Sequence, residues 1–432
     1  MAILSQTEAQ AILQKVLGFS TADECAAQLD GRTTGNIRYA RNAVSTAGSS
    51  SNVSLTVEAR FGKRAGIATC NQFDDATLRR CVQRAEEIAK LAPEDPEYVA
   101  MLGPQKFLTP TTYAATTAGI TPDFRAQVAQ DSIALCEGRK LTAAGYLEDG
   151  PTFVAIRNSK GLEGYQQFTN LDFSVTVRTA DGSGSGYAVA DYTDVAKFDA
   201  KAMTKRAADK AAGSVGAKAI EPGKYTVILE PAALVSDEGI LNRLIYALDA
   251  READEGRSFL SKKGGGNKMG EKMFDPRVTI YSDPLNATAP GRVFDGDGLP
   301  VKRMTWVEKG LMKNLYYSRF WAEKNKKEAT AFPSGFIMEG GTQSVEDLIK
   351  GTAKGILITR LWYIRDVDPQ TLLVTGLTRD GTFYIENMRF NESPVIMLNN
   401  IEAIGKPQRL GGNMVPPLKI RDFTFTSLSD AV

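Results

Sequence analysis

Apolar residues recur along this chain with two spacings, one helical and one alternating. Ser5-Gln-Thr-Glu8 is a capping box, and Ala9, Ile12, Leu13, Val16 and Leu17 follow it at helical spacing. Asp74 opens a second helix as its N-cap, with Leu78, Cys81, Val82, Ala85, Ile88 and Ala89 on one face and Pro93 and Pro96 past its end. Thr121-Pro122 starts a third that runs to about residue 137, and residues 195–213 make an Ala- and Lys-rich fourth. Between these, alternation predicts strands over residues 36–44, 54–61, 141–148, 152–158, 163–169 and 172–178. Ala47-Gly-Ser-Ser-Ser51 reads as a polar connection between the first two, and residues 93–121, rich in Pro and Thr, read as extended.

The pattern changes after a linker, Gly216-Ala-Lys-Ala-Ile-Glu-Pro-Gly-Lys224. Residues 225–230 form one continuous apolar strand. Pro231 then opens a helix with Leu234, Leu241, Leu244, Ile245 and Leu248 on one side. Ser261-Lys-Lys-Gly-Gly-Gly-Asn-Lys268 is too polar and glycine-rich to pack. Strands follow over residues 277–281, 302–307, 311–317, 355–364, 372–378 and 382–387, with hairpin turns at Glu308-Lys-Gly310 and Arg379-Asp-Gly381. A short helix begins at Ser344, with Asp347 three residues on. The expected class is α+β: an N-terminal α/β domain over residues 1–215 with an antiparallel sheet and helices, then a C-terminal β-rich domain over residues 224–432 with two or three helices.

Composition narrows the chemistry. The 432 residues contain no histidine, so a Ser-His-Asp triad, a Cys-His pair and any imidazole metal site are excluded. The 52 basic and 51 acidic residues nearly cancel, which speaks against a broad nucleic-acid footprint. Cys25, Cys70, Cys81 and Cys136 show no ligand spacing and read as thiols of a reducing compartment. The first segment is a capped helix rather than a basic leader, and no apolar run spans a membrane, so a cytoplasmic protein with no membrane partner is expected.

Several segments, in order, resemble the TldD/PmbA family of metalloprotease-related proteins. They are Ile37-Arg-Tyr-Ala-Arg-Asn42, Ala65-Gly-Ile-Ala-Thr69, Leu78-Arg-Arg-Cys-Val-Gln-Arg-Ala85, Gly256-Arg-Ser-Phe-Leu260, Met269-Gly-Glu-Lys272, Asp366-Val-Asp-Pro369, Gly376-Leu-Thr-Arg-Asp-Gly381, Ile385-Glu-Asn387 and Asn400-Ile-Glu-Ala-Ile-Gly405. The resemblance covers roughly residues 33–425. It implies dimers, and in the catalytic type a zinc held by His-Glu-x-x-x-His on a helix and by a late cysteine, with the glutamate as base. Counting back from Ser258-Phe259, that motif falls on Leu241-Asn-Arg-Leu-Ile-Tyr246, so Leu241, Asn242 and Tyr246 stand where the family has histidine, glutamate and histidine. The late segment Gln408-Arg-Leu-Gly-Gly-Asn-Met-Val415 has no cysteine. The chain therefore resembles the non-catalytic, PmbA/TldE-like type. The resemblance implies no cofactor here, zinc in a TldD-like partner subunit, a heterodimer or else a homodimer, and extended peptides as substrates of the pair, captured by main-chain pairing. Leu361-Trp-Tyr-Ile-Arg365 departs from the glycine-rich stretch of the best-known members.

Other constellations are weaker. Asp249, Glu252, Asp254 and Glu255 form either a solvated helix end or an acid–base pair for a metal-independent hydrolase. Lys262 to Gly270 does not match a phosphate loop, because Glu271 follows Gly270. Ser258 and the serines at 49–51 lack an activating base. Trp362, Tyr363, Arg365 and Arg379 are peptide-channel candidates, since Arg can hold a carboxylate at two points; the alternative is a packed strand. A peptide-binding regulator without proteolysis is the remaining functional reading.

Overall fold

Long alternating strands build the first half, and they are longer than their sequence pattern suggests. The computed structural model describes residues 3–217, 220–236, 238–332, 335–380 and 388–428. The order is α1 (Gln6–Phe19), β1 (Glu24–Ala40), β2 (Ala43–Phe61), β3 (Arg64–Cys70), α2 (Asp75–Leu91), α3 (Ala115–Ala118), α4 (Pro122–Gly138), β4 (Leu141–Asn158), β5 (Glu163–Thr179), β6 (Ser185–Tyr192) and α5 (Ala200–Gly213). The six strands form one antiparallel sheet in the order β3-β2-β1-β4-β5-β6. One face packs on the helices: Leu29, Leu55 and Phe153 meet Leu13 of α1 and Leu78 of α2, while Ile37, Phe173 and Val175 meet Val128 of α4 and Ala207 of α5. The other face turns Val154 and Ile156 toward Val293 and Phe294 of the second half.

The expected break at residues 47–51 is not there. That segment is strand, and the turn sits at Arg41-Asn42, both left-handed with φ of 53° and 57°. Asn42 suits such a position, and its amide also bonds Leu141 C=O at 2.9 Å and Ala143 N–H at 2.7 Å, locking the turn onto β4. The breaks expected inside residues 141–158 and 163–178 are likewise absent, because one strand runs through each. Gly150 makes the first possible: it adopts φ of 146°, and a Cβ there would lie 2.0 Å from Thr33 C=O.

The second half contains β7 (Gly223–Leu229), α6 (Pro231–Val235), α7 (Ile240–Tyr246), α8 (Ala250–Asp254), β8 (Ile280–Ser282), β9 (Met304–Glu308), β10 (Leu311–Met312), α9 (Arg319–Asn325), β11 (Phe336–Met338), α10 (Val345–Lys350) and β12 (Ile356–Ile358). It continues with β13 (Arg360–Asp368), β14 (Leu373–Arg379), β15 (Met388–Glu392), α11 (Pro394–Asn399), β16 (Ile401–Ile404), β17 (Gln408–Leu410), β18 (Asn413–Val415) and β19 (Leu418–Leu428). The helices here are short, and among the described residues there are six rather than two or three. The strand expected over residues 382–387 lies outside the described residues.

Two sheets form this half. One is ordered β10-β9-β8-β11-β18-β17 and the other β12-β7-β19-β15-β14-β13, with β16 beside β19. Only Thr359 separates β12 from β13, although they stand at opposite ends of the second sheet. That sheet therefore curls back on itself around a core that includes Leu234, Leu244, Trp306, Phe390 and Phe423.

The single helix expected from Pro231 is three short ones. Gly239 marks the first break: a Cβ there would lie 2.3 Å from Leu234 C=O. Asn242 stabilises the turn by donating its amide to Ser236 C=O at 2.8 Å. Asp249 then caps α8, accepting from the N–H groups of Arg251 and Glu252.

Charged side chains join the halves. Asp191 of β6 accepts from Arg409 Nε of β17 at 2.9 Å and from Gly412 N–H at 3.2 Å, and it is buried. Lys210 of α5 pairs with Glu230, and Ser185 donates to Asp380 at 2.8 Å. Breaking a buried pair from one side leaves an uncompensated charge. Arg409→Ala is expected to cost about 3–5 kcal/mol in urea unfolding, and the double variant with Asp191→Ala is expected to cost less than the sum of the two single changes.

Candidate functional site

Leu241, Asn242 and Tyr246 all lie on α7, whose first residue is Ile240. Leu241 is fully buried in the core of the curled sheet, and Asn242 is committed to Ser236 C=O. Tyr246 is largely exposed, with its ring stacked on Phe332 at 6.1 Å between centroids. The hairpin of β17 and β18 packs against the end of α6: a Cβ on Gly411 would lie 3.3 Å from Val235 C=O. The hairpin's neighbour is thus α6, the helix before the one that carries Leu241, Asn242 and Tyr246. Neither α7 nor the hairpin supplies an imidazole or thiolate, and among the described residues no group of three His, Cys, Asp or Glu side chains is arranged to hold a metal. These residues do not fit a zinc site of the His-Glu-x-x-x-His kind.

What α7 does instead is close the sheet. Glu238, just before it, accepts the Ile364 N–H at 2.9 Å, and Arg243 donates to the Ile364 C=O at 2.9 Å. Arg243 also lies 3.4 Å from Asp366. Both main-chain groups of Ile364 on the outer edge of β13 are therefore already taken. Strand addition by a peptide is blocked there.

The four peptide-channel candidates fall into two clusters on β13 and β14. The register shifts by one residue between Trp362 and Arg365, and Tyr363 sits in that bulge with φ of 57°. On one side the Arg379 guanidinium lies 4.3 Å from the Trp362 ring centroid, with Arg360 at 5.7 Å. On the other, Arg365 covers Tyr363 at 3.9 Å. Arg360 also stacks on Tyr187 at 4.0 Å, which links the Trp362 cluster to a cavity that the sequence did not reveal.

That cavity has a volume of about 780 Å³ and lies between the two halves. The three sheets all end on it, through β6, β12 and β17. Val189, Ile349, Leu357 and Pro407 give it apolar walls, and Lys205, Arg206, Lys210, Lys406 and Arg409 line it beside Asp209, Glu230 and Glu346. Lys205, Lys210 and Arg409 are paired to Asp209, Glu230 and Asp191. Arg206 and Lys406 are exposed and form no ion pair among the described residues. The main chain of β6 faces outward at Ser185 and Tyr187, where Ser214 and Lys210 bond it, so the alternation turns Val189 outward next. The signal for this site was the run Lys406-Pro-Gln-Arg409, which gains meaning only once β17 is placed opposite α5.

The remaining sequence candidates are structural. Glu252 forms a two-point pair with Arg257, and Glu255 pairs with Arg251 and Arg257. Asp254 holds Asn267 and the Trp321 indole N–H. With Asp249 capping α8, each of these carboxylates is occupied. Ser258 is buried and accepts from Leu260 N–H. Burial pushes the thiols of Cys25 and Cys136 up to about 11, and that of Cys81 up to about 12, so none is a ready nucleophile.

The three domain models of one metallopeptidase family match the chain. PmbA/TldA metallopeptidase domain 1 covers residues 25–89, the central domain residues 126–215 and the C-terminal domain residues 222–427. The chain belongs to the PmbA/TldD family. It is 24% identical over 301 residues to an uncharacterized protein of Methanocaldococcus jannaschii, covering 66% of this chain and 67% of that one. Its fold is similar to TldE from Thermococcus kodakarensis, with a TM-score of 0.83 at 17% identity over 96% of this chain and 99% of that one. It is equally similar to a Thermotoga maritima structure titled "putative modulator of a DNA gyrase", with a TM-score of 0.83 at 16% identity over 96% and 100%. No helix among the described residues is long and apolar enough to cross a membrane.

Pairing across the first sheet also sets Glu148, Asp172 and Asp191 side by side on β4, β5 and β6. Burial first, then Asp191 and Glu148, push the Asp172 carboxyl up to about 6. An acid whose folded value is raised stabilises most below its unfolded value of 3.8 and loses that contribution as pH rises toward about 6. Asp172→Asn is therefore expected to raise Tm by a few degrees at pH 8 relative to wild type, with the gain vanishing near pH 4. Thermal melts across that range test this; an equal gain at both ends contradicts it.

Proposed function

We propose that this chain is the non-catalytic subunit of a two-subunit metallopeptidase, whose zinc sits in a TldD-like partner. The observation that carries the reading is the fate of α7. Leu241 is core and Asn242 is a turn clip, while the flanking Glu238 and Arg243 hold a sheet together. A segment that in metal-bearing relatives would present ligands is here given over to packing. The acid–base alternative has no comparable support, since Asp249 and Glu252 are both engaged. Co-expression with a family member that keeps His-Glu-x-x-x-His tests the proposal. The two chains are expected to elute together and to cleave an unstructured peptide, which the isolated chain leaves intact. Cleavage by the isolated chain, or separate elution, contradicts it.

In this reading the chain's own share of the work is to hold extended peptide, and the cavity between the halves is suited to that. β12 and β17, with β6 at Val189 alone, offer main-chain groups, apolar walls take side chains without strict selection, and Arg206 and Lys406 offer charge to a peptide carboxylate. Arg206→Glu is expected to weaken binding of a free-acid peptide by about tenfold, that is about 1.4 kcal/mol. The amidated peptide is expected to bind both proteins alike. Fluorescence anisotropy reads the difference, and an equal loss for both peptides would remove the carboxylate contact from the account.

A further inference from the structure

We propose that Arg178, Arg360 and Arg379 bind a phosphate dianion where the two halves of the molecule meet. Arg178 stands near the end of β5, opposite Ser185 of β6. Arg360 and Arg379 stand directly opposite each other on β13 and β14. All three guanidiniums converge on the buried carboxylate of Asp380. Arg360 bonds it, Arg379 Nε lies 3.5 Å away and an Arg178 nitrogen 3.8 Å away. Ser185 donates to the same carboxylate at 2.8 Å.

Charge is what singles this cluster out. Three cations meet one anion, and among the described residues none of the three arginines has another ionic partner. The other buried pairs that join the halves are matched one to one, Arg409 with Asp191 and Lys210 with Glu230. Like charges opposite each other across two strands are unfavourable. The Arg360 and Arg379 side chains are also partly withdrawn from water, at 17% and 32% exposed. Arg360 Nε is buried and has no acceptor. Aromatic rings hold this surplus in place without cancelling it: Arg360 lies over Tyr187 at 4.0 Å and Arg379 over Trp362 at 4.3 Å.

The chemistry of the ligand follows from the surplus. A phosphate monoester carries close to two negative charges near neutral pH and offers its oxygens to guanidinium forks. A peptide carboxylate carries one charge and leaves a cation unmatched. Arg178 and Arg379 are the more exposed of the three, so they reach the ligand. Arg360, pinned between Asp380 and Tyr187, supplies positive field beneath them. None of these arginines lines the cavity that holds Arg206 and Lys406, so the two sites are separate. This inference does not depend on the peptidase reading above.

Isothermal titration calorimetry of the full chain tests it, with inorganic phosphate as one probe and a phosphoserine peptide, set against its unphosphorylated form, as the other. Saturable one-to-one binding that needs the phosphate is expected, and acetate is expected not to compete. Tighter binding of the phosphopeptide assigns the group to a phosphorylated protein, and tighter binding of the inorganic ion assigns it to a small molecule; either supports the site. Arg178→Gln and Arg379→Gln are each expected to weaken binding about tenfold, with circular dichroism and Tm unchanged. Arg206→Gln, in the cavity, is expected to leave it intact. No binding of either probe, competition by acetate, or undiminished binding by both the Arg178→Gln and Arg379→Gln variants overturns the inference.

Discussion

The second half of this protein depends on how a curled sheet is closed. Residues 356–368 bend at Thr359, pairing with β7 before the bend and with β14 after it. β13 is then the last strand of that sheet, and its outer edge exposes main-chain groups that must be satisfied. Glu238 and Arg243 satisfy them at Ile364, and Leu241, Leu244 and Ile245 fill the space behind. The short helix α7 is thus a plug. Its apolar side is fixed by the core and Arg243 by an edge strand, and Tyr246, the residue that faces open space, carries no imidazole or carboxylate.

That constraint links the missing imidazoles to the architecture. A zinc site needs several donors converging on open space. Here Leu241 is inside the core, Asn242 clips a turn, and Tyr246 is a phenol on the surface beside Phe332. Leu241 and Asn242 are held by their surroundings, so replacing one of them with histidine would not make a metal site. The same economy appears at Asp191, a carboxylate spent on joining β6 to β17 rather than on chemistry.

Much of this was legible in the sequence, and the failures have physical causes. Helix starts at Ser5, Asp74, Thr121 and Ser344 were readable because each carries a side-chain cap, and all four caps form. The strand breaks are hidden because small polar residues at 47–51 look like a loop, while Asn42 alone is a weak mark for the turn. The helix from Pro231 was overextended because its apolar spacing continues through Gly239, and only the close approach of Leu234 C=O shows why it must stop. Trp362 and Arg379 do meet, but as a cluster outside the cavity rather than along a free edge. The cavity, the acidic row of β4, β5 and β6 and the Ile364 clip were not readable, since each joins residues that only sheet order and register bring together.

The most direct measurement is the zinc content of the isolated, purified chain after saturation with zinc and removal of the free ion by gel filtration. The account predicts far less than stoichiometric metal, because Leu241, Asn242 and Tyr246 have been given other work. One tightly held zinc per chain, lost on chelation and regained on reloading, would contradict it.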